Sequence, residues 1–359
     1  MASKKRQPAL DAAKSEPPKL ERVIAGKEQG EDEHFDRVAR PKTLDEFVGQ
    51  EKHKDNLKVY VRAAKQRKEA LDHVLLCGPP GLGKTTLAHI LANEMGVKLT
   101  ITSGPILEHK GMLIGLLTKL GRGDILFIDE IHRLTAAVEE TLYPAIEDFR
   151  IDVMMGDNAF AEAVPLPLEP FTLIGATTRT GLLTKPLHER FGLTIRLDFY
   201  PIDEIELIVE RSARLLGIPI SKQGARALAN RSRGTPRVAN RLLRCARDFA
   251  EVKGSGAIDD AIVEYTCGRL EIDASGLDKE DRRILEILIQ HYDGGPVGIE
   301  TIAAAMAEPR DTIEDVYEPY LLQQGFLGRT PRGRVATKKA YEHLGVEPPP
   351  ASPRQGTLF

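Results

Sequence analysis

Gly78-Pro79-Pro80-Gly81-Leu82-Gly83-Lys84-Thr85 fits the pattern G-x-x-x-x-G-K-[ST], and its flanks decide how it is read. The apolar run His73-Val74-Leu75-Leu76-Cys77 precedes it. Thr86-Leu87-Ala88-His89-Ile90-Leu91-Ala92 follows with helical spacing. Strand, glycine turn and helix in that order make a phosphate-binding loop. Glycines such as Gly81 and Gly83 let backbone N–H groups converge on an anion without Cβ clashes. The helix starting near Lys84 turns its positive end toward the same point. Lys84 is expected to reach the β- and γ-phosphates of ATP, and the Thr85 hydroxyl to ligate Mg²⁺.

A second apolar run, Ile125-Leu126-Phe127-Ile128, lacks alternation and reads as a strand buried on both faces. Asp129 falls at its C-terminal edge, where open α/β sheets place ligands. Asp129 is the candidate magnesium partner and Glu130 the candidate base that orients water. Asp129-Glu130-Ile131-His132 also spells the D-E-x-H box of superfamily 2 helicases. Those enzymes carry a second ATPase-like lobe, and too little α/β sequence remains here for one. His132 is therefore read as a solvated residue at a helix start.

The 359 residues suffice for two or three domains, and 42% hydrophobic content allows a real core. No apolar run approaches a membrane span. Met1-Ala2-Ser3-Lys4-Lys5-Arg6 has no apolar stretch behind it, so a secretory signal is not expected. Cys77, Cys245 and Cys267 are odd in number and widely spaced, which fits a reducing cytoplasm better than a disulfide framework. The net charge is -3, so any nucleic-acid contact must come from a local patch.

The pattern changes along the chain. Residues 1–38 are charged and poor in large apolar residues, and read as a disordered tail. Residues 39–200 alternate short apolar runs with helical segments, giving α/β with strands near 74–77, 99–102, 125–128, 171–176 and 194–198. Within them, residues 150–165 read as a β-hairpin around Gly156-Asp157-Asn158. Its apolar residues either form a partner-binding surface or fold back on their own domain. Residues 201–273 carry only helical signals, interrupted at Arg231-Ser232-Arg233-Gly234-Thr235-Pro236-Arg237. Residues 274–345 predict three helices, at 278–292, 298–307 and 310–324. Two short strands then surround a basic turn, Gly328-Arg329-Thr330-Pro331-Arg332-Gly333-Arg334. That is a winged-helix arrangement. Residues 346–359 form a second disordered tail.

These residues carry a family resemblance. The core resembles an AAA+ ATPase. Arg40-Pro41-Lys42-Thr43-Leu44-Asp45-Glu46-Phe47-Val48-Gly49-Gln50 is similar to the segment that packs on the adenine, and Gly175-Ala176-Thr177-Thr178-Arg179 to the sensor-1 strand end. Leu187-His188-Glu189-Arg190-Phe191 is similar to an arginine-finger segment, and Gly234-Thr235-Pro236-Arg237 to sensor 2. Leu142-Tyr143-Pro144-Ala145-Ile146-Glu147-Asp148-Phe149 and the wing resemble the RuvB family of Holliday junction branch migration ATPases, over about residues 36 to 345.

The resemblance implies roles for particular residues. Lys84, Thr85 and Thr86 bind phosphates and magnesium, while Ala39, Arg40 and Tyr200 line the nucleotide pocket. Glu147, Asp148 and Phe149 match a segment contributing to the nucleotide site. Thr178 senses the γ-phosphate, and Arg237 reaches the nucleotide from the helical domain. Arg190 completes the neighbouring subunit's site in a hexameric ring. Arg310, Arg329, Arg332 and Arg334, with Lys338 and Lys339, contact duplex DNA without reading sequence. The hairpin docks on a RuvA-like junction-binding protein, and a RuvC-like resolvase joins the partner set. Competing readings are another AAA+ machine, such as a clamp-loader subunit or protein remodeller, and a winged-helix regulator switched by ATP. Outside the resemblance, Gln355-Gly356-Thr357-Leu358-Phe359 is similar to the short peptide bound by bacterial sliding clamps, with an unstructured end as its alternative.

Overall fold

His73 to Cys77 become β1 (Val74–Cys77), whose four residues are all buried. The structure is a computed structural model that describes residues 38–155 and 162–348. β1 lies inside a parallel sheet ordered β2-β3-β6-β1-β7. Its partners are β2 (Leu99–Ser103), β3 (Ile125–Asp129), β6 (Thr172–Thr177) and β7 (Leu193–Arg196). Every residue of β6 is buried, as are the first four of β3. Strands covered on both faces need the continuous apolar runs seen in the sequence. The turns after β1, β3 and β6 leave the same edge of the sheet, so residues 78–83, 129–130 and 178–179 converge there.

Helices α1 (Glu51–Arg67), α2 (Lys84–Met95), α3 (Lys110–Leu117), α4 (Ala136–Glu147) and α5 (Lys185–Glu189) flank the sheet. Gly83 caps α2 at φ 100°, a left-handed conformation that L side chains rarely adopt. A small helical domain follows as α6 (Ile202–Leu215), α7 (Lys222–Arg231), α8 (Pro236–Lys253) and α9 (Asp260–Arg269). Its apolar face, including Ile205, Val209 and Leu242, shares one core with Leu44, Phe47 and the sheet. The helical domain is thus a lid packed on the edge where the loops converge.

The C-terminal domain has its own core around Ile284, Tyr317, Leu321 and Phe326. Its helices are α10 (Lys279–Glu286), α11 (Ile299–Met306), α12 (Arg310–Thr312) and α13 (Glu318–Gln323), with wide helical turns at Ile287–His291 and Ile313–Tyr317. β8 (Leu327–Thr330) and β9 (Gly333–Ala336) make the wing, and α14 (Lys338–His343) follows. The expected α/β core, helical lid and winged helix are all present.

The expected hairpin exists as β4 (Arg150–Met155) and β5 (Glu162–Pro167), while its tip lies outside the described residues. Ile151 is buried and Val153 packs against the same core cluster, so part of β4 folds back on its own domain. Val164 and Leu166, opposite them on β5, are exposed. The fold-back alternative therefore holds for β4, while β5 leaves two apolar side chains uncovered. The tails are almost wholly outside the described residues, including the clamp-like peptide at 355–359.

Candidate functional site: a nucleotide cavity under the lid

A cavity of about 440 Å³ opens between the loop, the sheet edge and the lid. The phosphate loop and Thr85 and Thr86 form its floor, with Asp129, Glu130 and Thr178 along one wall. Ala39, Arg40 and Tyr200 line the opposite end, and Arg237 projects from the lid. The Tyr200 hydroxyl donates to the Leu82 carbonyl at 3.2 Å, pinning the loop from below, and burial raises its pKa.

The loop fits a phosphate cradle by a geometric test. Gly81 has φ 81°, and a Cβ there would stand 3.1 Å from the Arg237 Cβ. A Cβ on Gly78 would meet the Leu197 carbonyl oxygen at 2.5 Å. Both positions need the bare backbone. The Arg237 amide donates to the Gly81 carbonyl at 3.3 Å, so α8 of the lid touches the loop directly.

Lys84 is buried, and its ammonium donates to the Gly78 and Pro79 carbonyls at 2.8 and 2.9 Å. Burial pushes its pKa down to about 8, against the pull of Asp129, and Arg237 pushes the same way as burial. The loop thus holds a cation at a site that costs free energy without a matching anion. Glu130 lines the cavity in a left-handed backbone conformation, φ 47°, with its carboxylate on Arg133 at 2.9 Å.

His132 differs from its expected place in solvent. It is half-buried and hydrogen-bonds the Thr177 hydroxyl through Nδ1 at 2.9 Å, and burial lowers its pKa. The short turn Ile131–Arg133 carries it back toward β6, a tertiary approach that no local pattern encodes.

Arg190, Glu147, Asp148 and Phe149 are not among the residues lining this chain's cavity. Arg190 sits after α5, 3.0 Å from the Glu147 carboxylate, and donates to the Pro186 carbonyl at 2.6 Å. Its guanidinium lies 4.3 Å from the centre of the Tyr143 ring. Buried Glu139 accepts from the Tyr143 and Thr184 hydroxyls beneath that ring. Asp148 is exposed, whereas Phe149 packs edge-on against Phe171 with ring centres 5.9 Å apart.

The sequence reading missed Ile208, Arg211, Pro236 and Asn240, which line the cavity from α6 and α8. Arg211 donates to the Ala39 carbonyl at 2.6 Å and tethers the segment around Ala39 to the lid. Ile208 and Arg211 share a face of α6 at i, i+3, the one available signal, but spacing does not say what a face meets.

The wing requires a correction. Arg334 is buried rather than exposed to DNA, and donates to Glu318 at 2.9 Å twice and to Glu314 at 3.1 Å. Strand register explains this: Arg329 and Arg334 stand opposite each other and project from one face, toward Glu314 and Glu318. Arg329 stays mostly exposed, 3.5 Å from Glu314. Arg310 is paired too, with Glu300 at 3.1 Å and Glu314 at 3.2 Å. Arg332, at the turn, is exposed.

Known proteins match this arrangement domain by domain. The family model for the RuvB P-loop domain of Holliday junction DNA helicases covers residues 39–197. Those for the RuvB AAA lid and the RuvB C-terminal winged helix cover 200–273 and 274–345. The Holliday junction branch migration motor RuvB of Thermotoga maritima is 53% identical, with a TM-score of 0.80 over 87% of this chain and 100% of that one. A mutant form of the same protein gives 52% identity and a TM-score of 0.81, over 87% and 99%. A loop built for phosphate, a lid touching it and a winged helix in one chain therefore have one consistent assignment: the chain belongs to the RuvB family of Holliday junction branch migration motors, AAA+ ATPases of helicase type.

Proposed function

We propose that this chain works as a ring, a hexamer by family resemblance, which moves duplex DNA through a four-way junction held by a RuvA-like protein. The observation that carries this reading is the contact of Arg237 with Gly81, which joins the lid to the loop that grips ATP. A change at the γ-phosphate is thereby felt by the lid and by the domain attached to it. Thr85 and Asp129 would hold Mg²⁺, which when bound neutralises phosphate charge. Lys84 draws charge from the β- and γ-oxygens, and Thr178 orients the attacking water. Glu130 accepts the water's proton once its carboxylate leaves Arg133.

Arg190 is assigned to the neighbouring subunit's ATP. Its place outside its own cavity supports this, as do Glu147 and Tyr143, which hold it at the chain's surface. Glu147, Asp148 and Phe149 belong to the same intersubunit edge. Arg332 leads the DNA contacts, with Arg329 beside it, and exposed Val164 and Leu166 offer the RuvA-like partner an apolar strand. No helix among the described residues is long and apolar enough to cross a membrane, in keeping with action on DNA in the cytoplasm. A RuvC-like resolvase and a sliding clamp at the C-terminal peptide remain further partners to test.

The test is strand exchange on a synthetic four-way junction, adding ATP, magnesium and the junction-binding partner in turn. Movement that needs all three supports the proposal. ATP turnover that is as fast in a strictly monomeric, DNA-free protein would overturn it.

A further inference from the structure

The winged helix is attached to the rest of the chain in two unlike ways. Its first attachment is to the lid and is buried. Arg233, 4% exposed, forms an ion pair with Asp281, which is fully buried, and lies 3.6 Å from Asp278. It also donates to the Gly276 carbonyl at 2.8 Å, and its guanidinium lies 5.2 Å from the Tyr320 ring centre. A buried ion pair with these supports does not open cheaply. Lid and winged helix therefore move as one body.

The second attachment crosses to the ATPase sheet. Arg179 follows Thr178, which lines the nucleotide cavity, and its amide donates to the Thr177 hydroxyl at 3.0 Å. Its side chain reaches into the winged-helix domain, 2.6 Å from Asp315, 2.9 Å from Asp311 and 3.9 Å from Glu314. The hydrogen bond to Asp315 raises its pKa, so it stays charged. His132, three residues beyond Asp129, shares the Thr177 hydroxyl. The segments that follow Asp129 and Thr178, both on the sheet-edge wall of the cavity, thus meet at Thr177, two residues before Arg179.

A nucleotide in this cavity would lie between the sheet edge and the lid, so its hydrolysis would change the angle between them. The lid attachment rides along with such a tilt. The Arg179 contact spans the hinge and must stretch or break. We propose that Arg179 is a positioning residue, an ionic strap that ties the γ-phosphate sensor strand to the winged helix and sets how far the DNA-binding domain swings per ATP. Glu314 extends the strap's reach, because it also holds Arg310 of α12 and Arg329 and Arg334 of the wing. Loss of Arg179 frees a carboxylate cluster for those arginines and changes where the wing points. The inference deepens the branch-migration reading and rests on it for one of its two measurements.

Three full-length proteins test it: wild type, Arg179→Ala, and the charge-swapped Arg179→Asp with Asp315→Arg. Arg179 touches neither phosphate loop nor cavity, so DNA-free ATP turnover of Arg179→Ala stays within about twofold of wild type. Base pairs migrated per ATP fall roughly tenfold, the size of ordinary coupling between sites. The swapped pair recovers part of that loss, which a merely structural defect would not allow. Wild-type coupling in Arg179→Ala, or no recovery in the swapped pair, overturns the strap. So does loss of DNA-free turnover, which would put Arg179 in the ATP site itself. The second measurement needs no DNA: spin labels at exposed Lys119 and Glu342 report the distance between ATPase and winged-helix domains. Arg179→Ala broadens that distribution, and an unchanged one overturns the proposal. If wild type fails to migrate junctions at all, the branch-migration reading fails and the distance measurement alone decides the strap.

Discussion

Binding of ATP is expected to draw a proton into the protein at mildly alkaline pH. Lys84 Nζ is enclosed by the loop, with the Gly78 and Pro79 carbonyls at 2.8 and 2.9 Å and Arg237 nearby. Burial pushes the ammonium's pKa down to about 8. A triphosphate brings several negative charges to within contact of it, so the bound lysine is protonated throughout the working range. Proton uptake then equals the neutral fraction of the free lysine: about 0.1 per ATP at pH 7, 0.5 at pH 8 and 0.9 at pH 9. Above pH 8 affinity falls about tenfold per unit, or roughly 1.4 kcal/mol. Stability of the nucleotide-free protein runs the other way. The folded pKa lies below the unfolded value of 10.5, so the unfolded chain holds more protons between pH 8 and 10.5. Folding therefore gains stability as pH rises through that window, while ATP binding weakens. Calorimetric titration of a non-hydrolysable analogue, in two buffers with different ionisation heats, reads the uptake directly. Lys84→Arg, whose guanidinium stays charged, is the control. Uptake at pH 8 that is absent, or equal in Lys84→Arg, refutes a lysine held partly neutral by its loop.

The remaining expectations separate roles that look alike in the sequence. Arg334→Ala leaves buried Glu318 with only the longer contact to Arg329 at 3.8 Å, at a cost of up to about 3–5 kcal/mol, and lowers the melting temperature of the winged-helix transition. Arg332→Ala leaves melting unchanged and instead lowers the slope of log DNA affinity against log salt by about one contact per subunit. If Arg332→Ala melts early and keeps its slope, the two assignments are reversed. Arg190→Ala binds ATP but loses DNA-stimulated turnover by about 10³-fold or more, and mixing it with Lys84→Ala restores part of the rate because mixed rings contain intact sites. No rescue at any mixing ratio would rule out a shared site. Gly81→Ala places a methyl 3.1 Å from the Arg237 Cβ in a left-handed backbone, a strain of about 1–2 kcal/mol. Analogue affinity, read by fluorescence anisotropy, should drop about tenfold or more as the lid is pushed off the loop.

What could be read from the sequence was what depends on neighbours along the chain. The glycines at 78, 81 and 83, the lysine after them and the acidic end of β3 are local necessities of a phosphate cradle. They predicted a site whose parts the fold then brought together. The winged helix was equally legible, because three amphipathic helices and a basic turn are local patterns. The errors share a cause. Arg334 alternates along a strand with correct parity, but the sequence does not say that its face meets Glu318 of another element rather than solvent. His132 was misplaced because Thr177, its partner, lies 45 positions away. In the sequence Arg179 reads only as the tail of a sensor-like motif, since its partners Asp311 and Asp315 lie in another domain.

The wing shows how a correction of this kind changes the physics of DNA binding. Arg329 and Arg334 face each other directly across the ladder, and two like charges so placed repel. Glu314 and Glu318 stand one turn apart on the facing helix and neutralise them, so the second arginine serves folding. Nearby cations are also engaged: Lys338 lies 3.3 Å from Glu342, and Lys339 donates to the Gln324 carbonyl at 2.6 Å. One subunit therefore offers DNA far less free charge than its count of basic residues suggests. Exposed pairs such as Lys338 with Glu342 hold weakly and exchange readily for phosphate. A single wing should grip duplex poorly and release it easily. In the proposed ring, several wings around one duplex would multiply that weak grip through effective concentration. A motor that must let go at every step is better served by many weak contacts than by one strong one, because the release of each costs little.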